Sequence, residues 1–264
     1  MLTFADRLKF NRQLKNAINR NEFLLNYFPC FDAHNGELLG AEALIRWNHP
    51  ERGLLMPGKF ISYVENSDFN TPIGEWVIHT ASNQMNEWRN KHDVELYISI
   101  NVTARQLIDP YFTVRIMESL QRTGLSPEAL CIEFTENIRL TNIIDLERKI
   151  KDLKNLGVRF ALDDFGKDLA SLESLKKFPI DILKIDMIFV EDIEYNPKSY
   201  AICEAIINLS KKLGIKVVTE GVENLSQLEI IKDLGVDAVH GFYLAKPLIP
   251  EKFEQIFSNE FLSI

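Results

Sequence analysis

The sequence lacks the marks of several common protein classes. Its three cysteines, Cys30, Cys131 and Cys203, are odd in number and too far apart to form a CxxC pair, which excludes a disulfide framework and a cysteine-rich zinc site. They read as reduced core residues. The five histidines include no HExxH pair, which removes the common zinc hydrolases. There is no run of about 18 apolar residues to span a membrane, and Met1 to Arg7 carries charges where a signal peptide would be apolar. The chain therefore reads as cytoplasmic. A basic stripe is also missing, and the formal net charge is −8, so DNA and long RNA are excluded as partners. A small phosphorylated ligand fits if bound cations and a few bases supply positive charge locally. No Pro/Ser-rich linker, charge block or low-complexity stretch divides the chain.

What is present is 264 residues of ordinary globular composition, 46% hydrophobic and 26% charged, which suits one domain of barrel size. Four amphipathic segments end on glycine and lead into apolar runs, at Gly124, Gly157, Gly214 and Gly235. Each reads as a helix end followed by a strand. Before Gly157, Ile143, Leu146, Ile150 and Leu153 recur at helical spacing. Short apolar strands are predicted at 96–100, 129–134, 158–162, 182–185 and 216–219, so helices and strands alternate as in a parallel β/α fold. The N-terminal part differs, because Phe23 to Phe31 and Leu38 to Trp47 flank an Asn35-Gly36 turn, a hairpin signal that makes the first strand antiparallel to its neighbour. Residues 1–20 are expected to form a leading helix, a joint to an upstream domain, and 21–264 the barrel domain.

The informative polar residues sit at strand ends: Asn101, Glu133, the pair Asp163 and Asp164, Glu220, and Glu42 within an apolar run. A β/α barrel places its chemistry there. Lys184 and Asp186 occupy alternate positions and so share a strand face. A single strand-end acid is commonly a solvated residue or a helix cap. Several buried carboxylates together are costly and raise one another's pKa values, a penalty that multivalent cations remove. All-oxygen ligation suits Mg²⁺ or Mn²⁺ rather than zinc. Adjacent Asp163 and Asp164 could serve two ions, as in in-line phosphoryl displacement, with Lys184 orienting water or neutralising charge.

Six blocks carry a family resemblance: Glu42-Ala43-Leu44 running into Ile45-Arg46-Trp47, Ser99 to Leu107, Glu133-Phe134-Thr135-Glu136, Asp163-Asp164-Phe165-Gly166, Leu183-Lys184-Ile185-Asp186 and Thr219-Glu220-Gly221-Val222-Glu223. Together, in order over most of the chain, they resemble the EAL domains. The resemblance implies a TIM-like (β/α)8 barrel with one antiparallel strand near the N-terminus. It implies hydrolysis of cyclic di-GMP to linear pGpG in bacterial signal transduction, with two Mg²⁺ or Mn²⁺ ions. Glu42, Asn101, Glu133, Asp163, Asp164 and Glu220 are then the metal site, and Lys184 works with Glu42 and Glu220 in catalysis. Arg46, Leu44, Phe28 and His240 contact the ligand, while Glu136, Asp186 and Glu223 support the loops. A homodimer and an upstream sensory or GGDEF-type domain are further implications.

Three positions depart from the family pattern. Tyr27-Phe28-Pro29 stands where Tyr-Gln-Pro is usual, His240-Gly241 where Gln-Gly is usual, and the loop after Asp163-Asp164-Phe165-Gly166 reads Lys167-Asp168-Leu169-Ala170 in place of Thr-Gly-Tyr-Ser. Phe28 can stack on a guanine but cannot replace the hydrogen bonds of glutamine. Weak activity with a need for high Mg²⁺ or Mn²⁺ is therefore expected. Two functions stay open: an active phosphodiesterase, favoured by the complete acid set, and a module that binds cyclic di-GMP or a protein without turnover, favoured by the departures. A glycerophosphodiesterase-like barrel would use strand-end histidines that this chain lacks.

Overall fold

The computed structural model describes residues 4–135, 143–166 and 172–258. Helix α1 (Phe4–Asn19) leads into a hairpin of β1 (Phe23–Asp32) and β2 (Leu38–His49), and a short β3 (Gly53–Leu55) follows. Then come α2 (Ile61–Glu65), α3 (Asn70–His92), β4 (Tyr97–Asn101), α4 (Ala104–Ile108), α5 (Phe112–Thr123), β5 (Leu130–Thr135), α6 (Ile143–Asn155) and β6 (Arg159–Phe165). The chain continues through α7 (Leu172–Lys177), β7 (Ile182–Ile185), α8 (Pro197–Leu213), β8 (Lys216–Thr219), α9 (Leu225–Leu234), β9 (Ala238–Val239), α10 (Pro250–Phe253) and α11 (Gln255–Ser258).

The strands form one closed sheet in the order β1-β9-β8-β7-β6-β5-β4-β2, with β1 pairing back on β2 and β3 added outside β2. The result is an eight-stranded mixed barrel. Strands β2 and β4 to β9 are parallel neighbours, whereas β1 runs antiparallel to both β2 and β9. The expected hairpin is therefore present and supplies the one reversed barrel strand. Its turn is held by the Asp32 carboxylate, which accepts the His34 and Asn35 amides at 2.8 and 3.1 Å. The joints read from the sequence also fall at helix ends. Gly214, for example, ends α8 with φ 72°, a left-handed value that a side chain would strain.

The sequence pattern locates β4 to β8 to within a few residues but misses β3 and β9, which are three and two residues long. Strands so short leave no periodicity to read. The parallel strands are almost wholly buried, β7 at every residue, because helices cover their outer faces while the bore covers their inner ones.

Helix α1 packs onto the barrel. Leu14 and Ala17 are fully buried in the main core, and Phe10 meets Trp47 of β2 edge-on at 5.6 Å and Tyr63 at 4.4 Å. The Tyr63 hydroxyl donates to Asn11 Oδ1 at 3.3 Å. We expect Leu14→Ala to cost about 2–5 kcal/mol, as for other buried leucines, measured by guanidinium unfolding; no loss of stability would mean that α1 is dispensable to the barrel.

Candidate functional site

Strand register collects the polar residues at the C-terminal mouth of the barrel. Asn101 and Glu133 are Cα partners across β4 and β5, and Phe28 is opposite Glu42 across β1 and β2. Each side chain turned inward lies two residues beyond a small or apolar one on the same strand, as the period of a strand requires.

At the centre is Lys184, on β7 and 1% exposed. Its ammonium Nζ lies 3.0 Å from Glu42 Oε2, 2.8 Å from Glu133 Oε2, 2.7 Å from Glu220 Oε1 and 3.5 Å from Asp163 Oδ1. Asn101 completes the ring by donating from Nδ2 to Glu42 Oε1 at 2.6 Å. Glu42 is thus clamped on both oxygens.

The electrostatics follow from burial opposed by the ammonium. Burial disfavours the Lys184 charge, yet the surrounding carboxylates hold its pKa well above the usual lysine value. Burial also pushes Glu42 upward, but Lys184, His240 and Asn101 outweigh it and keep this carboxylate below its usual range. Glu133 goes the other way. Its burial, reinforced by Glu42 and Asp163, exceeds what Lys184 returns and raises it well above the usual range. Glu220 is pushed up to about 7, chiefly by burial. One ammonium cannot balance so many acids, and the surplus is expressed as proton uptake.

The donors suit hard divalent ions, being carboxylates plus one amide oxygen in excess of the local positive charge. Among the described residues, no three His, Cys, Asp or Glu side chains are posed around a common point to hold an ion as they stand. Their oxygens converge on Lys184 instead. An ion bound here would share these carboxylates with the lysine.

The other expected site residues are placed as follows. Asp164 is not among the carboxylates within 4.0 Å of Lys184; its φ is 55° and its amide donates to Asp163 Oδ1 at 2.9 Å. The β6–β7 register shifts between Leu162 and Phe165, so the Asp163-Asp164 pair lies at an irregularity of the strand pairing. Asp186 follows β7 and accepts the Ile188 amide at 2.8 Å, capping the turn 187–189. That cap supports the turn that follows β7.

Arg46 is 3% exposed and its Nη1 donates to the Ile45 carbonyl at 2.9 Å. The Glu223 amide donates to Gln227 Oε1 at 2.7 Å, at the capped start of α9. Glu136 and the departing loop Lys167 to Ala170 lie outside the described residues.

A cleft of about 260 Å³ opens over the ring, with Glu42, Asp163 and Glu220 at its base and Phe28, Leu44, Glu223, Met187 and Phe242 on its walls. Sequence reasoning missed Met187 and Phe242. Both stand just beyond strands, and Phe242 directly follows His240-Gly241, so the signal was adjacency to a strand end. Phe28 packs against His240 with ring centroids 4.9 Å apart and against Phe242 at 5.9 Å. Burial and the neighbouring Lys184 lower His240 to about 4, so the ring is neutral, and its Nδ1 is buried without a hydrogen-bond partner among the described residues.

Two measurements test this arrangement. Lys184→Met should cost about 3–5 kcal/mol in metal-free buffer, because buried carboxylates lose their counter-charge, and Mn²⁺ should restore much of the loss. Equal stability of variant and wild type without metal would contradict the ring. His240 titrates at about 4 when folded and near its ordinary value of about 6.5 when unfolded. Its contribution is therefore complete above about pH 6.5 and is lost as pH falls towards 4. Between pH 7 and 5 the wild type should lose about 2 kcal/mol more than His240→Gln, measured by urea unfolding.

The sequence and the fold match known proteins. The family model described as EAL domain matches residues 11–247. The cyclic di-GMP phosphodiesterase PdeR of Escherichia coli K12 is 34% identical over 252 residues, 96% of this chain and 38% of PdeR. The solved structure of the PaMucR phosphodiesterase in its c-di-GMP complex superposes with a TM-score of 0.88 at 33% identity, covering 93% of this chain and 99% of that one. The EAL enzyme Bd1971 with cAMP and cyclic di-GMP bound gives a TM-score of 0.90 at 30% identity, covering 96% and 69%. The chain spans about a third of the length of several curated relatives, PdeR among them, and 80% of others from mycobacteria. No helix among the described residues is long and apolar enough to cross a membrane.

Proposed function

The chain belongs to the EAL domain family, and from that premise we propose that it is a metal-dependent phosphodiesterase that hydrolyses cyclic di-GMP to linear pGpG. The observation that carries this reading is the ring of Glu42, Glu133, Asp163 and Glu220 around Lys184, joined by Asn101, at the barrel end where the fold class does its chemistry.

In this reading Glu42, Asn101, Glu133, Asp163, Asp164 and Glu220 hold Mg²⁺ or Mn²⁺. Such ions, when bound, would polarise the scissile phosphate and lower the pKa of the attacking water. Lys184 keeps the carboxylates ordered, and Glu42 charged, before any ion binds. Once they are shared with metal, its ammonium is free to orient the water and to face charge developing on the phosphoryl oxygens. Phe28, Leu44 and His240 form the wall against which a guanine would stack, with Phe28 supplying the apolar face. Buried Arg46 reaches the ligand after giving up its bond to the Ile45 carbonyl. Asp186, Glu223 and Glu136 hold the loops. The barrel acts as one module of a longer, cytoplasmic signalling protein and associates with a second copy.

The replacement of two family glutamines by the Phe28–His240 stack supports slow turnover, since an apolar ring contributes no hydrogen bond to a base. The same pair favours the alternative, a module that binds cyclic di-GMP without cleaving it.

Incubation with cyclic di-GMP and Mg²⁺ or Mn²⁺, resolved by chromatography, decides between them. Linear product is expected, together with its loss in Asp163→Asn. Lys184→Ala and Glu42→Gln should lower kcat by about 10²–10³-fold, as loss of a transition-state contact does, while ligand affinity changes far less. Binding without product in either metal would establish the alternative. Replacing Lys167 by Thr and Asp168 by Gly together should raise turnover more than Phe28→Gln.

A further inference from the structure

Besides the cleft over the carboxylates, a cavity of about 270 Å³ lies outside the bore, between the barrel wall and helices α2, α3 and α4. Its inner side follows from strand alternation. Glu42 turns into the barrel mouth, so Ala43 and Ile45 face outward, where Val64 of α2, Ile73 and Val77 of α3 and Phe134 of β5 complete an apolar lining. Ala43 and Gly74 contribute little bulk, which leaves the cavity its width. A Cβ on Gly74 would fall 2.0 Å from Gln106 Nε2, so glycine at this point of α3 makes room for the Gln106 amide.

The neutral polar groups of the lining are mostly engaged with one another. Asn70 Nδ2 donates to Thr103 Oγ1 at 3.1 Å, Gln106 Nε2 donates to the Asn70 carbonyl at 2.8 Å, and Gln106 Oε1 accepts the Thr103 amide at 2.8 Å. Asn101 donates to Glu42. Glu65, the last residue of α2, differs from these. It is the one charged residue of the lining, and burial raises its carboxyl above the usual range with neither a donor nor a cation beside it to oppose the shift. A carboxylate set on an apolar surface without a counter-charge favours a cation that brings apolar area with it.

The cavity is distinct from the cleft. Leu44 lines both, but Glu42, Asp163 and Glu220 line the cleft alone.

We infer that this cavity is a second small-molecule site, which takes an apolar organic cation of one or two rings, its ammonium paired with Glu65 and its body held among Ile45, Ile73, Val77 and Phe134. The charge-assisted hydrogen bond to the carboxylate selects for the cation, and burial of the rings supplies affinity. The site stands independently of the reaction proposed at the carboxylate ring.

Calorimetric titration of the purified chain, in metal-free buffer without cyclic nucleotide and at constant ionic strength, tests the inference with tryptamine as the probe. Tryptamine should bind saturably and at least about tenfold more tightly than 3-methylindole, which has the rings without the charge, or indole-3-propionate, which carries the opposite charge. Glu65→Gln should weaken tryptamine at least about tenfold, the equivalent of about 1.4 kcal/mol, and leave 3-methylindole unchanged. Val77→Phe, which adds bulk inside the cavity, should abolish tryptamine binding. Glu220→Gln, altered in the cleft, and Glu118→Gln, altered on the exposed side of α5, should bind the probe as the wild type does. Absence of saturation, an equal affinity for 3-methylindole, undiminished binding in Glu65→Gln, or an equal loss in Glu220→Gln or Glu118→Gln would each overturn the inference. Glu65 is only partly buried, so Glu65→Gln folds even if Val77→Phe does not.

Discussion

The packing of four acids around one buried ammonium is the constraint on which the rest of the barrel depends. Lys184 is almost wholly buried and meets Glu42, Glu133, Glu220 and Asp163. Taking these charges out of water is expensive, and only their mutual geometry offsets the cost. That geometry requires five different strands to end at one level, which in turn requires the register of the whole sheet. A slip of one residue in any strand would turn its acid outward.

The interior is accordingly graded. The C-terminal layer is polar and crowded, the layer beneath it mixes small residues with Ile182 and Val218, and the N-terminal mouth is lined by basic and acidic groups. Bulky apolar packing is displaced to the outside of the barrel, where Trp47, Trp88, Phe134, Phe160 and Phe253 are fully buried between strands and helices. Trp88 stacks on Phe253 with centroids 4.5 Å apart, which ties the C-terminal turn to the long helix α3. Stability resides in that outer shell, and the bore is left for chemistry.

Much of this was legible in the residues. Glu42, Asn101, Glu133, Asp163 and Glu220 all stand out against apolar strands, and the structure does bring them to one mouth. Their convergence on Lys184 was less visible, because a contact made between strands leaves no signature within any one of them. The irregular strand pairing at Asp163 and Asp164 was not legible, because a bulge has no composition of its own. The walls of the cleft, Met187 and Phe242, were invisible for a different reason: exposed apolar residues on loops carry no period. Strand β9 escaped because tertiary pairing with β1 and β8, and not local propensity, makes two residues a strand. Loop 167–171 and Glu136 lie outside the described residues, so the reading of that loop stands on sequence.

The reversed direction of β1 carries a consequence for how the molecule is made. The barrel closes where Phe31 and Asp32 meet Val239 and Ala238 and where Tyr27 pairs with Leu248, contacts between segments far apart in sequence. During synthesis the β1–β2 hairpin is made before β9 and must wait, with one edge unpaired, for the strands between them. Until then its apolar strands are a template for misplaced pairing. The polar mouth is likewise incomplete, because Glu220 and His240 arrive with the last strands. A nascent chain therefore holds Glu42 and Lys184 without their final arrangement, and acquires its electrostatic centre in the same late event that seals the barrel.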